Sequence, residues 1–111
     1  MRALAVAALL TLYGASAEAE EALLAKGESV YKQFCSHCHG LDMKNPGTSS
    51  YDLRKWPRDA KETFVKSVME GKGDMPAWGD ILLPEELEAI WFYVATRGGK
   101  EPPPQASAGE G

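Results

Sequence analysis

Cysteine and histidine are scarce in this 111-residue chain, and their scarcity excludes several kinds of site. The chain has two residues of each type, and they form a single cluster: Cys35, His37, Cys38 and His39. A structural zinc or iron–sulfur centre needs about four Cys or His ligands. Four candidates crowded into five consecutive positions argue against both kinds of centre.

The chain also lacks a long apolar run, a strand pattern and an excess of basic charge. Its longest apolar stretch, residues 3–13, is shorter than the ~20 residues that a membrane-spanning helix needs. No alternating pattern is long enough to build a sheet, which favours an all-α fold. The formal net charge of −4 makes nucleic acid a poor candidate partner.

What the chain does contain is C-x-x-C-H, at Cys35 to His39. This spacing is typical of a c-type haem attachment site. The two thiols can each form a thioether with one of the two haem vinyl groups, and the adjacent histidine can ligate the iron as an axial ligand. The motif predicts one covalent haem c, attached at Cys35 and Cys38 and ligated by His39.

Two other interpretations of the cysteines fit less well. A thioredoxin-like dithiol needs a βαβ pattern around C-x-x-C, and no convincing strand precedes Cys35. A disulfide between Cys35 and Cys38 would close a very short loop, contribute little stability and leave His39 without a role.

The N-terminus has the pattern of an export signal. Met1-Arg2 gives a positive start, residues 3–13 are apolar, and Ala15-Ser16-Ala17 matches a small-x-small cleavage site. We predict a signal peptide over 1–17, with cleavage after Ala19 as the alternative, and no membrane span in the mature form. An uncleaved amphipathic anchor is a further alternative, although the run has no charged face.

Three helices are predicted in the rest of the chain. The first spans Glu20 to Phe34 and leads directly into the motif. The second spans Ala60 to Glu70, with Asp59 as its N-cap and Glu62 as capping-box partner. The third begins near Pro84 and is stopped by the glycines at 98 and 99. We therefore expect a single domain over 18–97 and a disordered tail over 98–111.

With a helix at each end and C-x-x-C-H directly after the first, the chain resembles class I cytochromes c over roughly residues 22–97. In that family the N- and C-terminal helices cross at close range. A glycine and an aromatic on the first meet an aliphatic and an aromatic on the last. Gly27 and Tyr31 match the first pair, and Ile90 and Tyr93 match the second. The resemblance implies an all-α cytochrome c fold around one covalently bound haem.

The resemblance also implies a methionine as the sixth iron ligand, from a loop before the last helix. Met75 in Gly71-Lys72-Gly73-Asp74-Met75-Pro76 fits that pattern. The competing methionines fit less well. Met69 is expected in the core, on the apolar stripe of the middle helix with Phe64, Val65 and Val68, and Met43 is only four residues beyond His39.

Four further residues carry over from the family as contacts of the haem or its ligand. Pro46 resembles the proline whose carbonyl accepts a hydrogen bond from the axial imidazole. Tyr51, Arg54 and Trp56 lie where polar groups and a tryptophan contact the haem propionates. The alternatives for these last residues are a surface arginine and a core aromatic.

An iron with two axial protein ligands implies electron transfer and no catalysis. The resemblance implies a periplasmic, monomeric carrier. Segments 45–57 and 75–80 resemble small cytochromes that accept electrons from quinoprotein (PQQ-dependent) alcohol dehydrogenases. The acceptor would be a terminal oxidase or another cytochrome. The alternatives are a general shuttle to a terminal oxidase, a fixed subunit of a larger oxidoreductase, and a haem-based sensor or peroxidase with a labile sixth ligand.

The mature chain is unevenly charged, which bears on how a partner would dock. Residues 26–72 carry nine Lys and Arg against six Asp and Glu, a balance of +3. Residues 74–111 carry two against seven, a balance of −5. The basic part is suited to an acidic partner surface, unless its charges are simply solvated helix faces.

Overall fold

The computed structural model describes residues 2–45, 47 and 50–104, with side chains from residue 17 onward. Four helices follow one another: α1 (Arg2–Phe34), α2 (Ser36–His39), α3 (Lys61–Glu70) and α4 (Pro84–Ala95). Short 3₁₀ turns occupy Leu41–Met43 and Leu53–Lys55. The described residues form no strand, which confirms the all-α prediction.

Helix α1 begins much earlier than the predicted Glu20. It runs without interruption from Arg2 to Phe34, through the stretch assigned to the export signal. Alanine and leucine dominate this stretch, and both are strong helix formers. Among the described residues, no helix is long and apolar enough to cross a membrane.

The crossing of α1 and α4 organises the core. A Cβ on Gly27 would lie 2.1 Å from the Ala89 carbonyl oxygen and 2.9 Å from Cβ of Tyr93. The rings of Tyr31 and Tyr93 pack with their centroids 5.0 Å apart. Only a residue without a side chain allows this approach, so the prediction of a close crossing at Gly27 is confirmed.

Helix α3 covers the other side of the core, with one correction to its predicted stripe. Phe64 and Val68 are buried, and the Phe64 ring packs 5.2 Å from that of Trp91 on α4. Met69, which we expected in the core, is 43% exposed. Met69 directly follows Val68 in the helix and therefore points about 100° away from it, toward solvent.

The helix ends also differ from the predictions in detail. Ala60 occupies the N-cap of α3, without a side-chain cap, so Asp59 is not its cap. At the start of α4, the Glu86 carboxylate accepts a hydrogen bond from the Leu83 backbone N–H at 2.8 Å. That bond is the half of a capping box in which the carboxylate at the third helical position accepts from the N–H of the N-cap residue. The apolar Leu83 side chain provides no cap for the helix in return.

Residues 98–104 of the predicted tail lie against the end of α4 in the structure, and the disorder of the tail stays a prediction. The backbone N–H of Glu101 donates to the Thr96 carbonyl at 2.9 Å. The Arg58 guanidinium donates to the carbonyls of Ala95 and Pro102 and forms an ion pair with Glu101. The rest of the predicted tail, 105–111, lies outside the described residues.

Candidate functional site

A large cavity lies between the helices and two loops of the described part of the chain. Its volume is about 630 Å³, within the ~300–1,000 Å³ that is usual for sites that bind small molecules and cofactors. Its apolar walls come from all parts of the fold, in the order Phe34, Leu53, Trp56, Phe64, Val68, Trp78 and Ile90. The motif residues Cys35, Cys38 and His39 and the loop residue Met75 all line it.

The end of α1 fixes the position of the two cysteines. The Cys35 N–H donates to the Tyr31 carbonyl at 2.8 Å, so the chain leaves α1 in helical geometry and continues into α2. Burial and, to a smaller extent, the neighbouring Cys38 together raise the pKa of the Cys35 thiol to about 12. The cavity wall therefore favours an uncharged sulfur at this position, as in a thioether.

His39 is held by a hydrogen bond through one of its ring nitrogens. Its Nδ1 lies 2.9 Å from the backbone carbonyl oxygen of Tyr51, a geometry in which Nδ1–H donates. This tautomer leaves Nε2 available as a ligand atom, and the bond to the carbonyl fixes the orientation of the ring. We predicted this acceptor role for Pro46, which lies outside the described residues.

A second anchor fixes the far end of the motif. The Tyr31 hydroxyl donates to the carbonyl of Gly40, directly after His39, at 2.6 Å. Burial raises the pKa of Tyr31, so its hydroxyl keeps the proton that makes this bond. The motif is thus tied to α1 both where it begins and where it ends.

Met75 reaches the cavity from a tight loop. The backbones of Lys72 and Met75 exchange two hydrogen bonds, of 3.1 and 3.0 Å. Gly71 enters this turn at φ +80°, and a Cβ there would lie 2.6 Å from the Met75 carbonyl oxygen. The loop is tied to the end of α3 by bonds from Trp78 N–H to the Val68 carbonyl and from Gly79 N–H to the Met69 carbonyl.

The other methionines among the described residues do not line the cavity. Met43 is 2% exposed and belongs to the core, and the side chain of Met69 is directed to solvent. Of these three methionines, Met75 alone lines the cavity that His39 also lines, and the resemblance implies that Met75 is the sixth iron ligand.

The predicted propionate contacts are already engaged with other groups. Arg54 forms a bidentate ion pair with Asp52, with two N–O distances of 3.0 Å, and does not line the cavity. This pairing lowers the pKa of Asp52. Trp56 lines the cavity, but its indole N–H donates to the Ala60 carbonyl at 3.0 Å. The Tyr51 hydroxyl donates to the carbonyl of Lys55 at 3.3 Å.

Sequence reasoning missed an arginine behind the cavity wall. Arg97 follows α4 and donates hydrogen bonds to the carbonyls of Leu53 and Trp56, at 3.3 and 2.8 Å. An arginine between a helix end and a pair of glycines is a possible signal in the sequence, because cations there bond exposed carbonyls. The guanidinium also contacts the Val94 carbonyl and Glu101 nearby, but its partners Leu53 and Trp56 lie about forty residues earlier, where no local pattern could reveal them.

The residues present fit a haem c. Both cysteines, a histidine with its Nδ1 already hydrogen-bonded and a methionine thioether line one cavity whose walls are mostly aromatic and aliphatic. Aromatic pairs continue around it, with centroids 5.3 Å apart for Phe34 and Trp78 and 5.7 Å for Trp56 and Phe64. Apolar walls of this kind would exclude water from a porphyrin, and the polar residues of the motif also line the cavity.

Comparisons with known proteins identify the family of the chain. The family described as "Cytochrome C oxidase, cbb3-type, subunit III" matches residues 22–94. Cytochrome c6 of Microcystis aeruginosa is 35% identical over 78 residues, which cover 67% of this chain and 96% of that protein. No solved structure matches the chain significantly.

Two similar proteins are much longer than this chain. The quinohemoprotein alcohol dehydrogenase ADH IIB of Pseudomonas putida is 39% identical over 74 residues, which cover 64% of this chain and 11% of the dehydrogenase. The cbb3-type cytochrome c oxidase subunit FixP of Azorhizobium caulinodans is 37% identical over 79 residues, 67% of this chain and 27% of that subunit. The chain thus matches one part of each.

Proposed function

We propose that this chain, which belongs to the c-type cytochromes in the family of the cbb3-type oxidase subunit III, is a periplasmic single-electron carrier. In this proposal His39 and Met75 are the axial ligands of its haem iron. Its cofactor is one covalently bound haem c, and it is a haem-based electron carrier. The haem supplies the one-electron iron couple. The proposal adds the axial ligands, the location, the monomeric state and the partners.

The observation that carries the proposal is that His39 and Met75 line the same cavity, each held by backbone hydrogen bonds. Tyr51 orients the imidazole, and the Lys72–Met75 turn presents the thioether. A thioether is a soft, weak donor that raises the reduction potential of haem iron. With both axial positions taken by the protein, no site remains for a substrate, so we propose that the protein is not an enzyme.

Replacing the methionines one at a time tests the ligand assignment. We expect Met75→Ala to lower the reduction potential by more than about 0.1 V, a fraction of the roughly 0.8 V that axial ligands span. The ferrous protein should then bind carbon monoxide. Met69→Ala is the matched control, because this side chain is exposed and outside the cavity.

Visible spectra and potentiometric titration of the three proteins give the readout. Carbon monoxide binding by the wild-type ferrous protein would instead favour a sensor or peroxidase with a labile sixth ligand. An open iron in Met69→Ala and not in Met75→Ala would reverse the assignment.

We propose a quinoprotein alcohol dehydrogenase as the electron donor. The support is the resemblance of segments 45–57 and 75–80 to cytochromes that serve such enzymes, together with the similarity to part of a quinohemoprotein alcohol dehydrogenase. The +3 balance of residues 26–72 suits an acidic docking surface, and Lys72 lies at the cavity. Electrostatic steering of this kind weakens as salt is added.

Stopped-flow mixing tests this pairing. The ferric protein is mixed with a substrate-reduced quinoprotein dehydrogenase, and haem reduction is followed at increasing salt. We expect reduction faster than that of an unrelated cytochrome c, with a rate that falls with ionic strength. Equal rates for the two cytochromes would exclude a specific pairing.

The alternative is a general shuttle to a terminal oxidase, or a fixed subunit of one. The similarity to FixP, a subunit of a cbb3-type oxidase, favours such an acceptor. A general shuttle should show no preference for quinoproteins in the same stopped-flow assay. Co-purification with an oxidase would indicate the fixed subunit.

The location and the mature N-terminus need a separate experiment. We propose export and cleavage after Ala17 or Ala19, which gives a mature chain that begins at residue 18 or residue 20. N-terminal sequencing of the periplasmic holoprotein should find one of these two ends, and sedimentation should give a monomer. An intact Met1 would contradict cleavage.

A further inference from the structure

Arg97 occupies a backbone position where glycine is usual. It follows the C-cap Thr96 at φ +53°, with Arg97 N–H bonded to the Val94 carbonyl and Gly98 N–H bonded to the Tyr93 carbonyl. This is the pattern of a Schellman motif, whose left-handed residue is normally glycine because a Cβ is strained there. An arginine at this point therefore has to be explained by its side chain.

The guanidinium of Arg97 connects the end of α4 to the cavity wall. Its side chain is 16% exposed. Its Nη2 donates to the Trp56 carbonyl at 2.8 Å and its Nη1 to the Leu53 carbonyl at 3.3 Å. The planar fork of an arginine can hold two carbonyls in a fixed relation, which the single ammonium of a lysine cannot.

The segment held in this way carries the partner of the axial histidine. Leu53 and Trp56 both line the cavity, and the 3₁₀ turn between them is closed by a bond from Trp56 N–H to the Leu53 carbonyl. Two residues before Leu53, the Tyr51 carbonyl accepts the hydrogen bond from His39 Nδ1. The position of that acceptor therefore depends on how firmly this short turn is held.

We propose that Arg97 is a positioning residue: through the carbonyls of Leu53 and Trp56 it holds the Tyr51 carbonyl against His39 and so fixes the axial imidazole. Arg97 itself does not line the cavity. The inference rests on the proposed ligation by His39. It assigns Arg97 a role in the orientation of the ligand, in addition to its contacts at the end of α4.

Hydrogen exchange of the His39 Nδ1 proton, followed by NMR in the diamagnetic ferrous holoprotein, tests the inference. Arg97→Gly removes the guanidinium. It also removes the strain of a Cβ at this left-handed position, so we expect the variant to keep the fold. We expect the Nδ1 proton to exchange faster by about tenfold or more, because hydrogen bonds from a charged donor contribute at least that factor. The Gly98 amide should stay protected, since glycine suits the turn.

Two matched controls separate this role from charge and from general stability. Lys55→Gln removes a positive charge from the same segment, and that side chain is exposed. Arg58→Gln removes another arginine at the end of α4, one that bonds Ala95 and does not hold segment 51–56. We expect both variants to stay within about twofold of the wild-type exchange rate.

Arg97→Lys keeps the charge and loses the fork, so its exchange rate should lie between those of wild type and Arg97→Gly. Wild-type exchange in both Arg97 variants would overturn the inference and leave the proposed function intact. Equal acceleration in Arg58→Gln would also overturn it, because loosening of the helix end would then be sufficient. If the wild type lacks the resonance of an iron-bound His39, the proposed ligation itself fails.

Discussion

The two halves of the cavity are built in different ways. On one side, α1 and α4 cross with Gly27 against the Ala89 carbonyl, and Tyr31 ties the motif to the helix. On the other side, the chain between Ser50 and Trp56 and the loop from Gly71 to Gly79 contain almost no regular structure. Their positions depend on a few backbone hydrogen bonds to the ends of α3 and α4.

Because of this difference, we expect the helical half to determine the stability of the domain and the loop half to determine the surroundings of the haem. The helical half is close-packed, so any added atom displaces a neighbouring helix and affects the whole domain. The loop half presents the Tyr51 carbonyl and the Met75 thioether, so a change there alters the surroundings of the iron first. Substitutions in the two halves should therefore differ in their main readout.

The largest expected effect is at the helix crossing. Gly27→Ala places a Cβ 2.1 Å from the Ala89 carbonyl oxygen. It should lower the free energy of unfolding by about 3 kcal/mol, because the clash outweighs the better helix propensity of alanine. Urea unfolding measures it, with the exposed Ser29→Ala on the same helix as the control. A loss no larger than in Ser29→Ala would mean that the helices do not cross at Gly27.

The next effect contrasts two glycines in the methionine loop. Gly71 and Gly73 both have positive φ, but a Cβ on Gly71 would lie 2.6 Å from the Met75 carbonyl oxygen, whereas one on Gly73 meets nothing within 4 Å. Gly71→Ala should cost about 2 kcal/mol more than Gly73→Ala and weaken ligation by Met75. Urea unfolding and carbon monoxide binding by the ferrous protein test both parts. Equal behaviour of the two variants would show that Gly71 does not limit the loop.

A smaller effect is expected where the helical half meets the motif. Tyr31→Phe removes the 2.6 Å bond to the Gly40 carbonyl and should cost about 1 kcal/mol of unfolding free energy. Tyr93→Phe is the control, because the structure records no hydrogen bond from that hydroxyl within the part of the chain it describes. Equal losses in the two variants would assign the effect to aromatic packing instead of the hydrogen bond.

The smallest effect concerns pH and the Asp52–Arg54 pair. Hydrogen bonding from Arg54 lowers the pKa of Asp52 below the ordinary range of an aspartate. A group with a lowered folded-state pKa stabilises the fold above its unfolded pKa and loses that contribution as the pH falls through the folded value. Wild type should therefore be slightly more stable than Asp52→Asn at pH 7, and the difference should shrink as the pH falls below the ordinary aspartate pKa of about 3.9. A difference that persists in acid would exclude this linkage.

Local sequence determined the helices and the attachment motif. C-x-x-C-H requires particular residue types at fixed spacing, and the periodicity of α3 and α4 placed both helices to within a few residues. Gly27 revealed the helix crossing because a glycine inside a helix needs a reason. The same sequence marked the loop around Met75, whose role as an iron ligand stays a prediction.

Only the tertiary structure decided which polar groups meet. The His39 imidazole bonds the Tyr51 carbonyl, Trp56 bonds Ala60, and Arg54 pairs with Asp52. Every residue carries a backbone carbonyl, so nothing in the side-chain sequence tells which carbonyl a donor will reach. That choice depends on how distant segments pack, and the clearest example is Arg97, whose guanidinium bonds carbonyls about forty residues earlier in the chain.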